Sequence, residues 1–178
     1  MGTGYGFSVE TVREKLAGIA ERPLDLDQSD EIRGILEAGG DVLYVPDNVG
    51  EIALDALLVG DLRAHGARVL VPYRGGPITS DATLEDFRAV GLDKAADEIF
   101  EAGPDTLGFS LEEMSPRLEA ALGSASAVVT KGQANYYAVS ELLHRIPGRV
   151  VCLLRTKCAP ASRGFGFSGP AGIAAILK

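Results

Sequence analysis

The polar–apolar pattern divides the chain into a helical opening and an alternating body. Over residues 8–21, SVETVREKLAGIAE, the residues Val9, Val12, Leu16 and Ile19 recur at helical spacing behind Ser8, a suitable N-cap. Pro23 ends that segment. Ser29 opens a second helix, DEIRGILEA, with Ile32, Ile35 and Leu36 on one face, and Gly39-Gly40 stops it. From residue 41 the period changes. DVLYV (41–45), ARVLVPY (67–73), SAVVTKG (126–132) and GRVVCLLRT (148–156) are short apolar runs expected as strands, and DEIFEAG (97–103) is a weaker one. Helical stretches separate them. One covers 51–66, with Leu54, Leu58 and Leu62 at four-residue intervals, and another covers 82–91 and ends in Gly91. A third is expected behind Ser110, kinked or divided at Pro116, and a fourth at 135–146. The tail, GPAGIAAILK, reads as a last edge strand.

Strands alternating with helices imply βαβ crossovers. The expected fold class is α/β: a three-layer α/β/α sandwich with a mostly parallel sheet and a short N-terminal helical segment. That segment, residues 1–40, is expected to pack on a body spanning 41–178. The chain has 178 residues, 46% apolar and 24% charged, which suits one globular domain that needs no disulfide to fold. A net charge of −8 argues against nucleic acid as a partner but not against a small phosphate ligand held by local cations. No apolar run reaches the ~20 residues of a membrane span, so no membrane association is expected. Cys152, Cys158, His65 and His144 lack zinc-site spacing. Sparse cysteine and the lack of a secretory leader predict a cytoplasmic protein.

Ligands of open parallel sheets bind beyond the carboxyl ends of the strands. The loop behind each strand therefore carries the candidate chemistry. The first strand leads into Pro46-Asp47-Asn48-Val49-Gly50-Glu51, and the second into Arg74-Gly75-Gly76-Pro77-Ile78-Thr79-Ser80-Asp81. The two later strands lead into Lys131-Gly132-Gln133-Ala134-Asn135 and Arg155-Thr156-Lys157-Cys158. Asp47, Asn48 and Asp81 form a hard-oxygen set suited to Mg²⁺ or Mn²⁺ with water completing the shell, Co²⁺ or Ni²⁺ being further candidates. Lys131, Lys157 and Arg74 supply positive charge opposite, the pairing that phosphoryl chemistry requires. Read one loop at a time, Asp-Asn after a strand is an Asx-turn or N-cap, Asp81 is an N-cap, and the lysines are surface residues. Cys158 reads either as a reactive thiol beside Lys157 or as a small packing residue. Gly2-Thr3-Gly4-Tyr5-Gly6 reads as a flexible end, and Gly164 to Gly169 as a mobile loop.

These loops carry a resemblance. Val42 to Ile52, followed by Asp55, resembles the strand-plus-DNAGE signature of the metal-dependent damage-control phosphatases, long called domain of unknown function eighty-nine. Arg74-Gly75-Gly76-Pro77-Ile78 and Ser80-Asp81-Ala82-Thr83 are similar to that family's RGGPI and NDAT elements. Lys131-Gly132-Gln133-Ala134-Asn135 resembles its KGQGN loop, and Leu154 to Cys158 its KAKC or RTxK segment. The resemblance implies one divalent metal on Asp47, Asn48 and Asp81. It implies substrate phosphate held by Lys157, Lys131 and Asn135, with Arg74 and Glu51 beside them. Asp47, Asp81 and Lys157 are the expected catalytic residues. The implied activity is hydrolysis of phosphomonoesters such as sugar phosphates or damaged phosphometabolites. The chain departs from the pattern in its first residues, where the expected GNxxD element is replaced by Gly2 to Gly6, and it is expected to be a short member lacking most of the helical region. The alternative is a non-catalytic homologue that binds metal or phosphometabolite, or a subunit whose pocket a partner chain completes. Apolar surface left uncovered by that missing region predicts a homo-oligomer.

Overall fold

The computed structural model describes residues 8–104 and 112–178. Eight helices and seven strands are described: α1 Val9–Ala20, β1 Leu26–Asp27, α2 Ser29–Glu37, β2 Gly40–Val45, α3 Ile52–Ala64, β3 Ala67–Tyr73, α4 Leu84–Val90, α5 Leu92–Ala95, β4 Glu98–Glu101, α6 Pro116–Ser124, β5 Ala127–Lys131, α7 Gln133–Leu142, β6 Arg149–Arg155, α8 Ala159–Gly164 and β7 Gly172–Ile176. The strands form one sheet in the order β1-β7-β6-β5-β2-β3-β4. The run β6-β5-β2-β3-β4 is parallel throughout. β7 runs against β6, and β1 follows the direction of β7.

Alternation along the central strands feeds two cores. Val42 and Tyr44 of β2 join Ile52, Val59 and Leu62 of α3, Ile32 and Leu36 of α2, and Phe87 of α4 on one face. Leu43 and Val45 join Leu118 of α6 and Val139 and Leu142 of α7 on the other. This is the α/β/α sandwich, its inner strands apolar on both sides because helices cover both. Residues 26–37 share the sheet through β1 and the core through Ile32 and Leu36, so the leading segment is joined to the body by a strand.

Several elements depart from the sequence pattern. In α3 the buried stripe is Ile52, Asp55, Val59 and Leu62, while Leu54 is 53% exposed. Steps of four residues drift by about 40° on a 3.6-residue helix, so the i+4 ladder of leucines leaves the sheet-facing side. Pro116 starts α6 rather than kinking it. Ser115 is the N-cap, its Oγ accepting from Leu118 N, and a proline at the first position sacrifices no hydrogen bond. Ser110 lies outside the described residues, as does the Gly2–Gly6 run. The tail strand is interior, not an edge, because the two-residue β1 pairs along its outer side. Within residues 164–169 only Phe165 and Phe167 are partly buried: the rings of Phe165 and Tyr136 lie 5.0 Å apart, and Phe167 N donates to Ser162 O. Among the described residues no helix is long and apolar enough to cross a membrane.

Candidate active site at the carboxyl edge of the sheet

The chain runs outward from β2 through β3 to β4, then returns to place β5 on the other side of β2. The crevice of an open α/β sheet opens at such a reversal. Here it lies between the ends of β2 and β5, where Asp47 and Gly132 meet. Gly132 has φ +78°, and a Cβ there would overlap the Asp47 carboxylate. Glycine thus lets the β5 loop pass directly beside Asp47.

A short bridge between Asn48 and Asp81 ties the loops after β2 and β3 together. Val49 N donates to Ser80 O, Ala82 N donates to Asp47 O, and Ser80 Oγ donates to Asn48 Oδ1. Asp47, Asn48 and Asp81 are thereby gathered in one place. Asn48 Nδ2 donates to Asp47 Oδ2 (2.8 Å) and Glu51 Oε1 (2.7 Å). That orientation leaves Asn48 Oδ1, which has two lone pairs, with capacity beyond the Ser80 hydroxyl.

Arg74 is 7% exposed, with Nε on Asp81 Oδ2 and Nη2 on Asn135 Oδ1, both at 3.0 Å. Asn135 is fully buried, and its Nδ2 donates to Pro46 O and Lys131 O, each at 2.9 Å. Asn135, expected as a phosphate ligand, is placed here among groups of the neighbouring loops. Both amide hydrogens and the carbonyl are already engaged, so it ties the β2, β3 and β5 loops together. Arg74 likewise commits two donors to holding Asp81 and Asn135.

Lys131 Nζ pairs with Asp55 Oδ1 (2.6 Å) and Glu51 Oε2 (2.8 Å), and Tyr44 Oη donates to the same Asp55 oxygen (2.8 Å). Burial opposes the lysine charge, but the two carboxylates outweigh it and raise the pKa. Glu51 and Lys131 therefore hold one another, which places Glu51 against a cation rather than free toward an anion. Lys157 is exposed at the rim, close enough for its charge to act on Asp47 and Glu51. Its backbone is pinned. Lys157 N donates to Gln133 Oε1, while Thr156 Oγ1 accepts from Ser162 Oγ and Ala171 N, all three at 2.8 Å. Cys158 is exposed, which settles against a packing role.

Asp47 is pushed up to about 6, first by burial and then by the neighbouring charges of Glu51 and Asp81. Crowded, half-desolvated carboxylates of this kind are relieved by a divalent cation. The donor set, two carboxylates and one amide oxygen, fits a hard ion that keeps several waters. Among the described residues no cluster of three or more His, Cys, Asp and Glu side chains has metal-holding geometry, so such an ion would rest on this mixed set.

Sequence reasoning did not single out Tyr44, Gln133, Thr156 or Ser162, and it met Asp55 only within a motif. The one signal it held was the i, i+4 spacing of Glu51 and Asp55 at the start of a helix.

The model of the damage-control phosphatase ARMT1-like domain matches residues 5–168. A damage-control phosphatase of Archaeoglobus fulgidus is 31% identical over 98% of this chain and 59% of its own length. The damage-control phosphatase PH1575 of Pyrococcus horikoshii is 32% identical over 89% of this chain and 54% of its own. The crystal structure of that Pyrococcus protein, described as a DUF89 family member, superposes with a TM-score of 0.88 at 30% identity, covering 97% of this chain and 60% of that one. The chain thus spans between half and two thirds of the length of these relatives. Motifs, sheet order and whole-chain likeness agree: the chain belongs to the damage-control phosphatase ARMT1-like family.

Proposed function

We propose that this protein is a metal-dependent hydrolase of phosphomonoesters, acting on small phosphorylated metabolites such as sugar phosphates. The observation that carries the reading is the meeting of Asp47, Asn48 and Asp81 with Lys157 and Lys131 at the sheet reversal. Asp47, Asn48 and Asp81 would hold one Mg²⁺ or Mn²⁺, with Co²⁺ or Ni²⁺ also suited to the oxygen set. Such an ion supplies Lewis acidity toward a phosphoryl oxygen when bound. The protein's own part is positional and electrostatic. Arg74 fixes Asp81 by a hydrogen-bonded ion pair, and Asn48 is fixed by Ser80 and Glu51. Lys157, on a pinned backbone but with an exposed side chain, offers a compact charge to the transferred phosphoryl oxygens. Lys131, held by Asp55 and Glu51, adds a second, fixed cation. The family names of the relatives support the same reading.

The test separates metal from phosphate. Asp47→Asn is expected to abolish Mn²⁺ binding by calorimetry. Lys157→Ala is expected to leave Mn²⁺ affinity intact but lower kcat on an aryl phosphate about 10²–10³-fold, as loss of one oxyanion donor does. Activity that survives Lys157→Ala unaltered contradicts the reading.

A second reading draws on α1, where Val12, Leu16 and Ile19 are 43%, 44% and 62% exposed. Ile19 also lines the cavity that holds Glu51 and Lys131, and an uncovered apolar stripe reaching it favours a chain whose pocket is completed by another subunit.

A further inference from the structure

The sheet edge offers more room than a lone phosphoryl group needs. A cavity of about 830 Å³ extends from Glu51 and Lys131 across the ends of β6 and β7 to Arg22 and Leu24. That is the size of a metabolite pocket. Register sets its base. Lys131 stands opposite Leu153, and residues two apart on a strand share a face, so Arg155 leaves β6 on the face that carries Leu153. Both residues line the cavity. One strand spacing and two residues of rise separate the backbones of Lys131 and Arg155 by roughly 8 Å.

The acids lining this cavity are already hydrogen-bonded. Glu51 pairs with Lys131, and Asp25 Oδ2 accepts from Gly172 N (2.7 Å). Among the described residues, Arg22 and Arg155 have no side-chain hydrogen bond or ion pair. The cavity therefore holds two guanidinium groups free to take up an anion, in a molecule whose net charge is −8. Ile19, Leu24 and Ile173 line the same cavity, apolar surface suited to a carbon skeleton.

We propose that this cavity is a second-anion subsite: the phosphomonoester taken by the site carries a further phosphate or carboxylate, received by Arg155 and Arg22 at the far end of its carbon skeleton. Guanidinium forks match both anions in bidentate geometry. The subsite rests on the phosphatase reading of the neighbouring Asp47–Asp81 centre, and its test is arranged to separate the two.

Glucose 6-phosphate, glucose 1,6-bisphosphate and 6-phosphogluconate are compared on the metal-supplemented full chain, with the last two distinguishing phosphate from carboxylate as the second anion. Wild-type kcat/KM is expected to favour at least one two-anion substrate over glucose 6-phosphate by about tenfold or more, a modest effect for charge-assisted contacts. In Arg22→Gln/Arg155→Gln that ratio is expected to fall to near one. Arg155→Lys should keep part of it, because charge persists without the fork. A ratio unchanged by the double substitution overturns the proposal. Calorimetry with the same ligands covers the case of no turnover. Tighter, arginine-dependent binding of a two-anion ligand then supports the subsite while the hydrolase reading falls. Equal affinity of the wild type for one-anion and two-anion ligands overturns the subsite. Thermal melts of each variant verify that the fold is retained.

Discussion

At Gly132 the backbone has a positive φ, and the Asp47 carboxylate occupies the space a Cβ would take. Gly132→Ala therefore carries two penalties, a strained backbone costing about 1–3 kcal/mol and displacement of Asp47. The expected outcome is a lowered melting temperature together with weakened Mn²⁺ affinity, read by calorimetry. The two cysteines illustrate a different dependence on surroundings. The Cys158 thiol is held below its usual range, chiefly by the backbone N–H of Ala161 and then by the Tyr137 hydroxyl, whereas burial pushes Cys152 up to about 12. The lower value gives Cys158 more thiolate at neutral pH. Mass spectrometry after brief iodoacetamide treatment should find Cys158 alkylated and Cys152 untouched until the protein is unfolded.

The loops after the strands act as one element, and Arg74 is the tie. Its guanidinium and the Asp81 carboxylate are both almost wholly buried, so removing one leaves the other uncompensated. Arg74→Met should cost about 3–5 kcal/mol in denaturant unfolding, the range for breaking a buried pair from one side. The Asp81→Asn change should cost less, since an amide can still accept from Arg74. These loops were legible because strand periodicity located their beginnings and residue type exposed their chemistry. Their internal bonding was not legible. Asn135 follows a glycine-containing loop as a phosphate ligand would, yet two of its partners, Pro46 O and Arg74 Nη2, lie in the loops after other strands. Only the sheet order reveals that contact. The same limit explains β7: an apolar tail is recognisable as a strand, but its inner place depends on Leu26–Asp27, too short to show a period. The buried face of α3 escapes a reading by hydrophobicity, because leucine marks the apolar positions whereas the sheet-facing stripe includes Asp55, a buried acid that serves Lys131. Pro116 lies in a stretch whose apolar pattern runs across a helix start.

Over the whole molecule, α1 stands apart. From Glu10 to Ile19 every side chain but the partly buried Thr11 is exposed, and the stripe Val12, Leu16 faces outward. Val12→Gln with Leu16→Gln should change unfolding free energy by no more than about 1 kcal/mol, as surface substitutions do. Light scattering on the same variant should show any self-association of the wild type reduced. The reversed pair β7 and β1 has a bearing on time. Asp25 and Gly172, joined by a hydrogen bond, are 147 residues apart in the chain. Strands β3, β4, β5 and β6 each find a neighbour among segments already synthesised, but β1 has no place until β7 has been made and has turned back along β6. Closing so long a loop is the slow kind of pairing. On the ribosome, the reversal that gathers Asp47 and Gly132 thus precedes the docking of Arg22 and Asp25, and the far wall of the cavity closes only after the site beside it.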